Sequence, residues 1–89
     1  MKIVITITGR DQIGIVAMVA VACAEHHVNI LDINQNIIRD LFHMIMIGDM
    51  AKSKIQLKEL QEILKAKGDA MGLEIRAQSE DIFKIMHRV

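Results

Sequence analysis

The sequence predicts an α+β domain in which two helices cover one face of a four-stranded antiparallel sheet, followed by an extra C-terminal helix. Four segments have the alternating or β-branched pattern of strands, and two segments between them have the apolar spacing of helices. The chain has 89 residues, 52% of them hydrophobic, which is enough for one packed core.

The first strand and helix come from the N-terminal third of the chain. Residues 2–8, KIVITIT, are rich in β-branched side chains and place Ile3, Ile5 and Ile7 on one face. Helical spacing follows from Ile13 onward. We expect the inner face of this helix to comprise Ile13, Val16, Ala17, Ala20, Ala24 and His27.

A hairpin of two strands is predicted next. Residues 41–50 are apolar on both faces, and residues 29–38 alternate. One face of the alternating strand is expected to carry Leu31, Ile33 and Ile37, and the other Ile30, Asp32, Asn34, Asn36 and Ile38. The separating pair, Arg39 and Asp40, lacks the usual Gly, and Asp tolerates a positive φ better than most residues.

The remaining elements are marked by capping residues. Ser53 and Gln56 have the spacing of a capping box, so the second helix is predicted to open at Ser53 and to stop at Gly72. Its inner stripe is expected to be Leu57, Leu60, Ile63, Leu64, Lys67 and Met71. Residues 73–78 alternate as a final strand, and Ser79 is placed to cap a short helix over residues 80–89.

The resulting order, β-α-β-β-α-β with a terminal helix, is that of a ferredoxin-like sandwich. The sheet face away from the two helices would then show apolar side chains, which usually mark an interface. The terminal helix or a second subunit would cover this face, and we expect a homodimer. The expected patch comprises Val4, Thr6, Ile30, Ile38, Ile45 and Ile47.

Composition argues against several classes of partner. Eleven basic and eleven acidic residues give a formal net charge of zero, so neither nucleic acid nor a membrane surface is expected to bind. Two Phe and no Trp or Tyr offer little base stacking. A single cysteine fits a reducing compartment, and no signal peptide is visible, so we expect a cytoplasmic protein.

The strand-to-helix turn at residues 9–14, GRDQIG, is the candidate ligand site. Two glycines permit close backbone approach, and the following helix N-terminus favours a carboxylate. Asp11 has the acceptors for a ligand ammonium group or for capping the helix, and Asn29 offers both a donor and an acceptor. The same residues also serve ordinary turns, where Gly and Asp act through geometry and capping alone.

The motif resembles the first half of an ACT domain, in which a Gly-x-Asp-x-x-Gly loop ends the first strand and an Asn-Ile pair begins the second. The matching residues are Gly9, Asp11, Gly14, Ile15, Val16, Ala17, Asn29 and Ile30. The hairpin resembles that of small stand-alone ACT proteins, so residues 1–89 are interpreted as one ACT-like domain. Many amino-acid-binding members have Pro where this chain has Ile13, so its loop is expected to be less rigid.

The resemblance implies a regulatory module that binds an amino acid or similar effector where the loop of one subunit faces the second strand of its neighbour. No catalytic domain is attached, so an enzyme or regulator acting with it would be a separate chain. The implied ligand-binding residues are Gly9, Arg10, Asp11, Ile13, Gly14, Asn29, Ile30 and Asp32.

Parts of the sequence are also compatible with three other functions. Cys23 and His27 have a helical spacing suited to metal ligands, but no second pair completes a shell, and no metal or cofactor is expected. Arg10 and Asn29 could imitate an acylphosphatase, but the loop lacks the run of main-chain donors that such enzymes use. No nucleophile with its base is visible, so catalysis is not expected. A protein-interaction adaptor without a small ligand is the main alternative.

Overall fold

The structure, a computed structural model, describes residues 1–86, and it confirms the α+β class and the ferredoxin-like order with an extra helix. Residues 87–89 of the predicted terminal helix lie outside the described residues. The elements are β1 (Lys2–Arg10), α1 (Ile15–Glu25), β2 (Asn29–Ile38), β3 (Leu41–Asp49), α2 (Leu57–Met71), β4 (Glu74–Ser79) and α3 (Glu80–Met86).

The sheet has the order β2-β3-β1-β4, and every neighbouring pair is antiparallel. The core lies between this sheet and the helices α1 and α2, because the alternating side chains of β1 and β3 on that face are buried. The fully buried sheet residues are Ile3, Ile5, Ile7, Met44 and Met46. Within residues 1–86 β2 is an outer strand, with no strand paired along its second edge.

The inner face of α1 differs from the predicted one. It is formed by Ile15, Val19, Ala22 and Cys23, whereas Ile13 is 99% exposed. Nearly every residue from 13 to 24 is apolar, so the spacing alone did not fix which stripe turns inward. The helix begins at Ile15, after Gly14 has turned the chain.

The second helix begins at Leu57, so the predicted opening at Ser53 is wrong. Ser53 closes a turn instead: its Oγ donates to the His26 carbonyl at 2.7 Å and accepts the Ile55 N–H at 3.4 Å. The predicted end is confirmed, since Gly72 follows the last helical residue with φ 70°. Leu60 and Leu64 of the predicted stripe are fully buried.

A β-bulge changes the faces of β2. The register with β3 shifts between Ile30 and Asp32, which leaves Leu31 as the extra residue. Ile30 therefore packs against the core and does not join Asp32 on the opposite face, as strict alternation predicted. From Asp32 onward the alternation is regular, with Ile33 opposite Met46 on the helix side.

The hairpin between β2 and β3 turns at the predicted pair. The positive φ falls on Arg39, at 58°, and not on the neighbouring Asp40 to which the sequence pattern pointed. A positive φ at the first central residue suits a two-residue hairpin loop, because it matches the twist of the strands.

The terminal helix covers part of the second sheet face. It contacts β1 and β4, and Ser79 caps it as predicted, accepting the Ile82 N–H at 3.2 Å. Gln78, the register partner of Val4, donates to the Met86 sulfur at 3.2 Å, and Val4 is buried. Ile38 and Leu41, at the far side of this face, stay exposed. None of the helices among residues 1–86 has the length and apolarity that a bilayer crossing requires.

Candidate functional site

The candidate loop begins where β1 meets the turn between α2 and β4. A Cβ at Gly9 would lie 2.6 Å from Leu73 Cδ2 and 3.3 Å from the Gly72 carbonyl oxygen. Close packing alone therefore accounts for a glycine at position 9. Arg10 is the last residue of β1, pairs with Leu41 and is exposed.

Gly14 brings the chain from the loop into α1. It occupies the N-cap position with φ 95°, a conformation that glycine adopts at little cost, and no side chain caps the helix. Within residues 1–86 the carboxylate of Asp11 makes no hydrogen bond or ion pair. The helix therefore presents uncapped N–H groups and their partial positive charge beside an exposed carboxylate.

Three hydrogen bonds hold this loop in place. The Asp11 N–H donates to the Asp40 carbonyl at 2.7 Å, which joins the loop to the tip of the β2–β3 hairpin. Gln12 Nε2 donates to the carbonyls of Arg10 at 3.1 Å and Met71 at 2.9 Å. The anchoring role of Gln12 was not recognised from the sequence, because its partner Met71 is remote along the chain.

The other candidate residues lie at the opposite end of the sheet. Asn29 opens β2 and pairs with Asp49, which in turn pairs with Lys2 at the start of β1. The loop follows the far end of β1, which has nine residues and is about 26 Å long at ~3.3 Å per residue. One chain therefore brings Gly9, Arg10, Asp11, Ile13 and Gly14 together but holds Asn29, Ile30 and Asp32 apart from them.

This separation also bears on the acylphosphatase alternative. Arg10 and Asn29 lie at opposite ends of the sheet, so they do not meet around one phosphate within a single chain. The pair therefore does not form such a site in the monomer.

A surface groove of about 450 Å³ lies at the Asn29 end of the sheet. It is lined by His27, Val28, Asn29, Asp49, Ala51 and Lys52. Asp49 is held in position there, since its Oδ1 accepts the Ala51 N–H at 2.9 Å and lies 3.7 Å from the Met1 amino group. The sequence did not predict that Lys52 and Asp49 line a groove, because the chain segment joining β3 to α2 carries no motif.

The buried cysteine has no ligand-like surroundings. Cys23 is fully buried, and burial raises the pKa of its thiol. His27, four residues later, is exposed. In the described part of the chain, no three His, Cys, Asp or Glu side chains converge in a way that would hold a metal ion.

Comparison with known proteins identifies relatives over the whole length. A family model for the ACT domain matches residues 1–78. A UPF0237 protein of Methanococcus maripaludis is 45% identical over 88 residues, covering 99% of this chain and 98% of the relative. Another from Clostridium acetobutylicum is 42% identical over 89 residues and the full length of both. The solved structure of an ACT domain protein from Streptococcus pneumoniae is 34% identical, with a TM-score of 0.81 and 94% of each chain covered.

Proposed function

The chain belongs to the ACT domain family, and we propose that it acts as a regulatory homodimer that binds an amino acid or a related small metabolite. ACT domains are typically ligand-binding regulatory modules. The observation that carries this proposal is the position of the candidate residues, which form two clusters at opposite ends of one sheet.

The free edge of β2 supports assembly into a dimer. All residues of this strand after Ile30 are exposed, including four large apolar side chains. A long open strand edge with apolar neighbours is an aggregation hazard unless another chain pairs with it. These apolar residues are Leu31, Ile33, Ile37 and Ile38.

Antiparallel pairing of two β2 edges would bring the two clusters together. In such a pair the beginning of one strand lies beside the end of the other. The end of β2 leads into Asp40, and the Asp40 carbonyl is bonded to the Asp11 N–H. The loop of one copy and Asn29 of the other would therefore share one end of the joined sheet, once on each side of the two-fold axis.

The chemistry of the joined site suits an amino acid. The uncapped first turn of α1 would bind the carboxylate, because its N–H groups and dipole favour an anion. Asp11, exposed and without a partner in residues 1–86, would accept the ammonium group. Asn29 would contribute its amide from the other copy, and dimer formation would cover Ile13, which is 99% exposed.

Regulation by this module would act on another chain. A cytoplasmic enzyme or regulator that recognises the occupied dimer is the partner we propose, and the single buried cysteine fits that compartment. Ligand occupancy would then change the partner's activity through the free energy of binding to one state of the dimer.

A thermal-shift screen against the twenty amino acids and related metabolites tests the proposal, together with sedimentation at micromolar concentration. A ligand at 100 times its Kd stabilises by about 2.7 kcal/mol, which corresponds to a rise in melting temperature of roughly 10 °C or more. A dimer that responds to one compound is the expected result. A clean monomer that responds to none would contradict it.

The adaptor function remains the second candidate because of one observation on α3. Ile82, Ile85 and Met86 lie on this helix, and each is more than half exposed. An apolar helix face of this kind suits docking to another protein. Loss of a co-purifying partner in Ile85→Lys, with no response to any small molecule, would favour this function.

A further inference from the structure

The groove at the Asn29 end contains a histidine in an unusual backbone conformation. His27 has φ 58°, a region that non-glycine residues occupy at a cost. It is the residue that turns the chain out of α1. The His27 N–H donates to the Ala24 carbonyl at 3.2 Å, and the Val28 N–H donates to the Cys23 carbonyl at 2.8 Å. These two bonds form a Schellman motif, whose turning residue is most often glycine.

The second helix of the same chain ends with the same motif. The Gly72 N–H donates to the Asp69 carbonyl at 3.2 Å, and the Leu73 N–H donates to the Gly68 carbonyl at 2.8 Å. Gly72, with φ 70°, thus occupies the position that His27 occupies after α1. The turn after α2 thus has glycine, which this backbone conformation favours. The turn after α1 has His27, which lines the groove. Strain retained at such a place points to a role for the side chain.

The groove offers one cation and two further side chains that can donate hydrogen bonds. Lys52, the amide of Asn29 and the imidazole of His27 can donate, and within residues 1–86 none of these side chains makes a hydrogen bond. The carboxylate of Asp49 is the one charged acceptor in the lining, and its Oδ1 already accepts the Ala51 N–H. An anionic group fits this set, because the free donors include a cation and charge-assisted hydrogen bonds are the stronger ones.

The groove is braced by the protein around it. Ser53 Oγ donates to the His26 carbonyl at 2.7 Å and so ties the α1–β2 turn to the segment after β3. The Met50 N–H donates to the Met1 carbonyl at 2.8 Å, beside Asp49. Val28 is buried beneath the groove. These bonds fix the backbone that carries the donors, so ligand binding has to order only their side chains.

We infer that this groove holds a second anionic group of the effector, so that the effector is an acidic amino acid. The inference rests on the proposed function, since Asn29 belongs both to the proposed effector site and to the groove lining. The α-carboxylate binds the first turn of α1 in one copy. The side-chain carboxylate reaches Lys52 and His27 in the other copy.

Calorimetric titration of the purified 89-residue chain tests this inference. Glutamate and aspartate are compared with glutamine and asparagine, which have the same shape without the side-chain charge. At least one acid is expected to bind about tenfold or more tightly than its amide. Lys52→Ala is expected to remove this preference, whereas Lys54→Ala, an exposed lysine outside the groove, retains it.

A second variant separates a ligand role from a structural one. His27→Gly suits the backbone conformation, so it is expected to keep or raise the melting temperature while weakening acid binding several-fold.

Acid and amide binding with equal affinity, or equal effects of Lys52→Ala and Lys54→Ala, would overturn the groove assignment and leave the proposed function standing. If none of the four compounds binds, the inferred effector class is wrong. If no compound in the wider amino-acid screen raises the melting temperature, the proposed function is also wrong. If acid binding requires Lys52 but not Asp11, the result supports the groove as a carboxylate site and overturns the proposed role of the loop in binding.

Discussion

The main chain of Asp11 is bonded to the main chain of Asp40, with its N–H 2.7 Å from the carbonyl oxygen. This bond joins the glycine loop to the hairpin that follows β2, although the loop itself extends from β1, two strands away in the sheet. The bond therefore holds the loop close to the end of the outer strand. A copy that pairs along this strand would meet the loop at a fixed place.

Asp11→Ala is expected to abolish effector binding with little loss of stability. The carboxylate is exposed, caps no helix and has no partner in residues 1–86, so its removal should change the free energy of unfolding by less than about 0.5 kcal/mol. Urea unfolding and calorimetric titration measure the two effects. Asp81→Ala, an exposed carboxylate on α3, is the control that keeps binding. Unchanged binding in Asp11→Ala would assign the loop to turn chemistry alone.

Ile37→Lys is expected to convert the proposed dimer into a monomer. Ile37 is 46% exposed on the outer strand, so the monomer tolerates the charge, whereas antiparallel pairing of the edges would bury it beside the beginning of the partner's β2. Sedimentation velocity gives the oligomeric state. Ile85→Lys, 72% exposed on α3, should leave the dimer intact. The reverse pattern would place the dimer contact on the sheet face that carries α3.

His27→Gly is expected to raise the free energy of unfolding by about 0.5–1 kcal/mol, since glycine adopts φ 58° more readily than histidine. The neighbouring variant His26→Gly should lower it by a similar amount, because His26 has φ −107° and gains nothing from glycine. Urea unfolding of both variants checks this contrast. Destabilisation by both substitutions would show that the imidazole of His27 contributes to the fold.

Gly68→Ala is expected to destabilise the protein by about 1 kcal/mol despite the higher helix propensity of alanine. A Cβ at this buried position would lie 2.9 Å from Ile75 Cδ1 and 3.0 Å from the Leu73 carbonyl oxygen. Overpacking costs ~1–3 kcal/mol, and the propensity gain of about 1 kcal/mol offsets only part of it. The melting temperature should fall by roughly 4–8 °C. A rise in the melting temperature would mean that β4 shifts easily to make room for the added methyl group.

Cys23 is expected to resist thiol reagents in the native state. The side chain is fully buried and burial raises the pKa of the thiol, so both access and thiolate content are low. A chromogenic disulfide reagent should react with one thiol per chain in denaturant and far more slowly in buffer. Equal rates would show that α1 opens readily from the sheet.

The order of elements could be predicted because alternation and capping are local signals. Residues 2–8 alternate cleanly, and Gly72 and Ser79 act at the positions that the sequence indicated. The inner face of α1 was not predictable in this way. Its segment is apolar on every side, and only packing against the sheet selects Val19 and Cys23.

The candidate site was predictable in composition but not in arrangement. The loop stood out because Gly14 needs a positive φ and Asp11 is charged. The separation of Asn29 from the loop follows from sheet register, which no short motif encodes. Lys52 enters the groove only because the chain after β3 folds back beside Asn29.

A mixing experiment with two inactive variants tests the central claim most directly, namely that each effector site is shared between two copies. Asp11→Ala and Asn29→Ala are each expected to bind no effector. After unfolding and refolding together, each mixed dimer should contain one site with both residues intact, which gives about a quarter of the wild-type number of sites. Recovery of binding at that stoichiometry, with wild-type affinity, is the result we expect. No recovery in a mixture shown to contain mixed dimers would contradict a site shared between copies.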